Sequence, residues 1–381
     1  MFSMDGHFQA FSRASAIERK AESLSDPIAR LRYLRKATAN PAPRPSRRSW
    51  IACCAFTLFV MMWRSDALVR QSEPPTRRVA SPVPPAPYYV PNVWPVEQNK
   101  EYDLYSNGLR IENRLMISNE PRSYRLIARD SGILGPLRAQ PAGIVFHTSE
   151  SDQAPFEHEQ RHTLKRIGQE LLLYVRNHRA YHFVIDRFGQ VTRIVVESDA
   201  ANHAGHSVWA DSKWLYLDLN DSFVGVAFEA RMQPDQAIIT NAQLRAAKVL
   251  TEMLRAKYNL PSENCVVHAQ VSVNPSNRRI GWHTDWGAGF PFREIGLPDN
   301  YQIPNPSIYL FGFEYDSAYI AVTGPDLRKG LEAADERVRE AADQRGIGPG
   351  TYRRVLQQRY RDALSAVQNR NAAEENQHES N

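Results

Sequence analysis

Cysteine is scarce in this 381-residue chain: there are three, and Cys53 and Cys54 lie side by side in one apolar run. Adjacent cysteines bridge poorly and Cys265 is left alone, so no disulfide framework is implied. No apolar run reaches the roughly 20 residues that a membrane-spanning helix normally needs. Positive charge is confined. Of 47 Lys+Arg and 42 Asp+Glu, 14 and 6 fall within residues 1–80, which leaves a net −3 on the rest. A nucleic-acid-binding fold carries its basic patch on the folded body, so that class of partner is excluded.

What the N-terminal part does have is order of a different kind. Residues 1–49 read as a basic, disordered cytoplasmic arm with one short helical stretch, Ile17–Ala37. Trp50–Trp63 is apolar but for Thr57, and 14 helical residues span about 21 Å, short of the ~30 Å hydrocarbon core. Arg44, Arg47 and Arg48 precede the run and Arg64 follows it, the pattern of an export signal or a short signal anchor. Ser46-Arg47-Arg48-Ser49-Trp50-Ile51 resembles a twin-arginine export motif, and Ser65-Asp66-Ala67 offers the small residues of a cleavage site. Residues 64–98 then read as a Pro-rich linker, with eight prolines from Pro74 to Pro95 favouring an extended spacer. The expected arrangement is a membrane contact through residues 50–63, with the body exported or anchored at the inner membrane.

Beyond the linker the pattern alternates. Gly143–His147, Tyr181–Asp186, Gln190–Val196, Ser222–Ala230 and Asn264–His268 read as strands, with Arg187-Phe188-Gly189 as a tight turn between the second and third. Gln160–Arg179 sets Leu164, Ile167, Leu171 and Val175 on one helical face. Asn241–Tyr258 does the same with Leu244, Ala247, Leu250 and Leu254, and Asn259-Leu260-Pro261 stops it. This predicts an α/β domain on a mixed central β-sheet flanked by helices. Residues 99–140 read as an N-terminal extension, 141–300 as the main domain, and 301–381 as a C-terminal extension with charged helices at Asp326–Gln344 and Gly350–Ala366. The last eleven residues read as disordered.

Nine of the 11 histidines lie between positions 147 and 283. His147 and His268 end two predicted buried strands, where a parallel sheet opens a crevice. Asp285 follows in a Gly/Trp-rich loop. Two imidazoles and a carboxylate form a common catalytic zinc set with one position left for water. A strand-end histidine bonded to backbone is the competing reading.

The residues that settle the pattern occur in order. Ile144-Val145-Phe146-His147-Thr148 comes first. Tyr181-His182-Phe183-Val184-Ile185 runs into Asp186-Arg187-Phe188-Gly189. His203-Ala204-Gly205, Ser222-Phe223-Val224-Gly225-Val226, Val267-His268 and Asp285-Trp286-Gly287 follow. This series resembles the type 2 N-acetylmuramoyl-L-alanine amidases, which share a fold with the peptidoglycan recognition proteins, over about Gly143 to Phe292. The resemblance implies zinc (Zn2+) held by His147, His268 and Asp285, and hydrolysis of the bond between muramic acid and L-alanine in peptidoglycan. It also implies a catalytic domain in the periplasm or cell envelope. Tyr181 matches a tyrosine that faces the metal in part of the family and would donate to the oxyanion. A packing role in the core is its alternative.

Three departures stand out. Ala227 occupies a position where some members carry glutamate. His283 stands where lysine is frequent, and would act there as a catalytic cation only while protonated. The connection from His268 to Asp285 is long and carries Pro275, Arg278, Arg279 and Trp282. His203 and Trp209 are candidate substrate-binding residues, with His206 and Trp214 beside them; loop histidines bonded to backbone and capping aromatics are the bland readings. A non-catalytic peptidoglycan-binding or sensing module using the same cleft is the alternative function. The sequence leaves the oligomeric state open.

Overall fold

A six-residue strand with no exposed position organises the fold. Gly143–Thr148 (β6) is buried throughout, as a parallel strand covered on both faces must be. It lies between Phe223–Phe228 (β11) and Cys265–Val267 (β12), parallel to both. The computed structural model describes residues 92–205, 207–232, 238–315 and 317–379, all within one compact unit, Val83–Asn381. The basic arm, the apolar run at 50–63 with its export and membrane reading, nearly all of the linker, and His206 lie outside the described residues. Among the described residues no helix is long and apolar enough to cross a membrane.

The central sheet has eight strands in the order β1-β2-β3-β8-β7-β11-β6-β12. Its first members are Pro95–Gln98 (β1), Tyr102–Tyr105 (β2) and Arg110–Glu112 (β3). Phe183–Ile185 (β7) and Val191–Arg193 (β8) form the expected hairpin. Gly189 turns it at φ 84°, and a Cβ there would lie 2.7 Å from the Ala242 carbonyl oxygen. The sheet is mixed, since β3 and β8 are parallel while β7 and β8 are antiparallel. A second, antiparallel sheet has the order β5-β4-β10-β9, from Tyr124–Ala128 (β4), Leu134–Arg138 (β5), Val208–Ala210 (β9) and Trp214–Leu217 (β10). The short strands Arg279–Ile280 (β13) and Glu314–Tyr315 (β14) pair in parallel.

Helix Arg161–His178 (α1) buries the four residues predicted for its stripe: Leu164, Ile167, Leu171 and Val175. Leu219–Ser222 (α2) is a single turn before β11. Asn241–Tyr258 (α3) opens with a capping box between Thr240 and Gln243 and ends at Asn259 in left-handed geometry. It buries Ala247, Leu250 and Leu254 as expected, whereas Leu244 is only partly buried; Ala246 and Met253 complete the covered face. His268–Val271 (α4), Pro306–Tyr309 (α5) and Ser317–Val322 (α6) are short, and Pro325–Asp343 (α7) and Pro349–Glu379 (α8) are long.

Both extensions pack with the main domain, and two segments, Pro95–Gln98 and the C-terminal end, differ from the sequence reading. Pro95–Gln98 fell within the expected linker but pairs with β2 as the sheet's edge. Residues 99–140 supply strands to both sheets, and Ile111 and Ile127 are fully buried in the main core cluster. The C-terminal segment also packs into that cluster through Phe311, Phe313, Leu331, Val338 and Leu356. Its last residues continue α8 to Glu379 instead of being disordered, in keeping with an Ala/Glu/Gln-rich stretch lacking proline and glycine.

Asp221 in α2 sets one pH dependence. Burial, followed by repulsion from Asp218, raises its carboxyl to about 6. A raised carboxyl binds its proton more tightly when folded, so its stability contribution is complete below about pH 3.9 and is lost as pH rises through about 6. The group is partly exposed, so screening reduces the effect to about 1 kcal/mol. Asp221→Asn should therefore raise the melting temperature by about 2–4 °C at pH 7.5 and leave it unchanged at pH 4. An equal shift at both pH values would contradict this origin.

Candidate active site

The carboxyl-terminal ends of the parallel strands deliver the chemistry. His147 is the fifth residue of β6, His268 begins α4 directly after β12, and Asp285 lies in the loop after β13. Ala269 N–H donates to the Asp285 carbonyl, tying that loop to the start of α4. The two imidazoles meet with ring centroids 4.4 Å apart. Asp285 sits against both: Oδ2 is 3.2 Å from His147 Nδ1, and Oδ1 is 2.8 Å from His268 Nδ1. One ligand atom from each residue lies within 4.8 Å of the others.

A zinc ion fits this set. Tetrahedral ligands about 2.1 Å from zinc stand roughly 3.4 Å apart, close to both carboxylate–imidazole separations. Charge agrees as well. Burial opposes ionisation of Asp285, but attraction to the histidines beside it, His268 first, outweighs it and holds the carboxyl well below the usual range. Burial, aided by repulsion from His268, lowers His147 to about 4 and leaves a neutral imidazole, the state in which histidine ligates. His268 Nε2 is buried without a hydrogen-bond partner among the described residues.

His268 and Asp285 line a cleft of about 640 Å³ whose walls include Glu150, Tyr174, Tyr181, Trp282 and His283, with His147 buried beside them. Tyr181 packs its ring 5.0 Å from that of His147, and its hydroxyl makes no hydrogen bond among the described residues. Burial, then repulsion from Asp285, raises its pKa, so the phenol stays protonated and able to donate. His283 stacks on His268 with centroids 4.7 Å apart and planes 20° from parallel. Burial and repulsion from His268 lower its pKa, so at neutral pH it is a neutral ring rather than the cation expected in place of lysine. Ala227 pairs with His147 across the sheet and brings no carboxylate. Glu229, two residues on, accepts the Arg187 N–H and lines a different cavity.

Two sequence-level assignments change. Trp209 is fully buried in β9 and donates from Nε1 to Asn264 Oδ1, so it cannot reach substrate. Its position is a core-facing one in the second sheet. His203 borders the cleft, but the residue is buried and both ring nitrogens are occupied, by His147 and by the Phe223 carbonyl. Trp214 belongs to β10 and is half-buried. The residues that the sequence reading left unassigned are Glu150, Trp282 and His182. Glu150 adopts φ 51° just past β6 and takes hydrogen bonds from the Thr148 hydroxyl and Met232 N–H. Its only sequence signal was an acid placed directly after the strand carrying His147. His182 is buried and lowered to about 3 by burial and Arg122. Arg122, itself buried, donates to the carbonyls of Glu197, Asp199, Asp221 and Phe223.

A search of the curated proteins finds no match to the chain. Among solved structures, an N-acetylmuramoyl-L-alanine amidase, LysC from Clostridium intestinale URNW, is 23% identical, over 42% of this chain and 87% of that one, with a TM-score of 0.26. The amidase AmiD from E. coli, solved with the substrate anhydro-N-acetylmuramic acid-L-Ala-D-gamma-Glu-L-Lys, is 18% identical over 70% of this chain and 97% of its own, with a TM-score of 0.31. AmpDh3 from Pseudomonas aeruginosa, in complex with anhydromuramic pentapeptide, is 20% identical over 55% and 69%, with a TM-score of 0.30. Residues 137–288 match the family model described as N-acetylmuramoyl-L-alanine amidase. That span contains His147, Tyr181, His268, His283 and Asp285, and it is the part of the chain that is similar to the N-acetylmuramoyl-L-alanine amidase family.

Proposed function

We propose that the chain hydrolyses the amide bond between N-acetylmuramic acid and L-alanine in peptidoglycan, with zinc held by His147, His268 and Asp285. The observation that carries this reading is the convergence of those three side chains, two of which line a cleft, inside the family match. Zinc, when bound there, supplies Lewis acidity towards the scissile carbonyl and lowers the pKa of water at the site. The protein's own groups do the rest. Tyr181 points a protonated phenol into the cleft and donates to the oxygen that gains negative charge as the carbonyl is attacked. His283 meets the substrate as a neutral ring, able to pass a proton but not to supply fixed positive charge. Trp282, exposed at the cleft wall, takes the sugar-stacking role first given to Trp209.

The site of action in this reading is the periplasm or cell envelope, with residues 50–63 as export signal or membrane contact and the Pro-rich segment as spacer. Intact peptidoglycan and its soluble muropeptides are both candidate substrates. Metal analysis of the purified full-length chain should find one zinc per chain. Digestion of muropeptides should release free stem peptides with L-alanine at the amino terminus. A chelator should abolish that release and added zinc restore it. Cleavage between two amino acids of the stem, or activity indifferent to chelation, would overturn the proposal.

A further inference from the structure

Three features beneath the cleft floor belong to motifs that are far apart in sequence. His203 Nε2 lies 3.2 Å from the Phe223 carbonyl oxygen. A carbonyl only accepts, so the proton of His203 sits on Nε2 and its Nδ1 is bare. His203 Nδ1 is in turn 3.1 Å from His147 Nε2. A bare nitrogen needs a donor, so the proton of His147 sits on Nε2. Its Nδ1 then presents a lone pair towards Asp285 Oδ2 at 3.2 Å. Two lone pairs face each other there, an arrangement that becomes favourable when a cation lies between them.

The surroundings hold His203 in this role. Asn220 Oδ1 accepts the backbone N–H groups of His203, Ala204 and Gly205 at 2.9, 2.7 and 3.0 Å, which fixes the loop. The ring lies flat against Gly225 on β11, where a Cβ would come within 2.5 Å of His203 Cγ. Gly225 N–H donates on to His182 Nδ1 at 2.9 Å, so that strand position is itself anchored. His268 differs from this: its Nε2 has no partner among the described residues, and its Nδ1 lies 2.8 Å from Asp285 Oδ1.

We propose that His203 is a positioning residue for the metal centre. It passes the hydrogen-bonding preference of the Phe223 carbonyl to His147 and fixes the tautomer whose bare Nδ1 faces the ion. The inference rests on the zinc reading above for its purpose, but the tautomer itself is independent of that reading. Groups behind a metal ligand orient it and set its tautomer, and their loss commonly lowers metal affinity by about 10–100-fold.

The test uses two substitutions of nearly equal size. His203→Asn keeps an acceptor close to the position of Nδ1, whereas His203→Leu removes it. Nitrogen-15 NMR of the imidazoles in the metal-free full chain should show His147 protonated on Nε2 in the wild type and in His203→Asn. In His203→Leu the Nδ1–H form should become populated. Zinc affinity, read by competition with a chromophoric chelator, should fall by about 10–100-fold in His203→Leu and stay within a few-fold of wild type in His203→Asn. Gly225→Ala, which displaces the ring without removing a hydrogen-bonding group, should weaken zinc in the same direction. Equal loss in the Asn and Leu variants would reduce His203 to a packing residue and overturn the proposal. So would a wild-type His147 protonated on Nδ1, a result that needs no variant to fold. A wild-type chain that binds no zinc would instead overturn the metal reading, and the His147 tautomer would then judge the relay by itself.

Discussion

Asp285→Asn is expected to leave the chain folded and empty of zinc, with kcat/KM on muropeptides reduced by roughly 10³–10⁴. Each carboxylate oxygen lies against one imidazole, so among the described residues this is the group whose polar atoms reach both histidines. It is also the only negative charge in the three-residue set. An amide of the same shape can still hydrogen-bond to one ring and fill the space, which protects the fold. It offers no charge to a dication, and its NH2 meets an imidazole where an ion should lie. Lewis-acid stabilisation of a hydrolytic transition state is worth several kcal/mol, and each 1.36 kcal/mol is a factor of ten in rate. Metal content by atomic spectroscopy and turnover by chromatography of released peptides check the two halves separately. A variant with full zinc and full activity would remove Asp285 from the ligand set.

The strand ends that place His147 and His268 were legible in the sequence because each follows a short apolar run, while Asp285 came from the motif resemblance. A buried apolar run ending in histidine has few ways to fold, and β6 and β12 are both such runs. The order of the motifs then implied that their ends share one edge. What was not legible depends on pairings that no local pattern encodes. Pro95–Gln98 is exposed at all four positions, so it carries no apolar alternation, and only its ladder with β2 makes it a strand. Trp209 looked like a loop aromatic because β9 is three residues long, too short for period-two alternation to stand out. For His203 the structure shows the competing reading, a ring bonded to backbone. The His-Ala-Gly and Ser-Phe-Val-Gly segments read as separate signatures, while in the fold Gly225 exists to make room for the His203 ring. Chemistry that spans two motifs shows only when the strands are brought together. The His283 assignment shows a different limit. Position was readable, but the protonation state depends on burial and on the His268 ring stacked against it.

Tyr181→Phe is expected to lower kcat by roughly 10²–10³ while zinc content and melting temperature stay close to wild type. The ring is packed against His147 and the apolar face of α1, and phenylalanine keeps that packing intact. What is lost is one hydroxyl that makes no hydrogen bond within the protein among the described residues, so its removal orphans no protein donor or acceptor. A hydroxyl without an internal partner is left free to donate to another group. The cleft is the place where substrate can accept that bond. Its raised pKa matters to the sign of the effect. The phenol remains a donor across the working range, and its hydrogen bond strengthens as the carbonyl oxygen becomes anionic, so the interaction belongs to the transition state. The loss should therefore appear in kcat, with KM changed little. A fall in zinc content would trace the defect to His147, which the ring supports. An unchanged kcat with full zinc would make Tyr181 a packing residue and leave the oxyanion without a protein donor from this wall of the cleft.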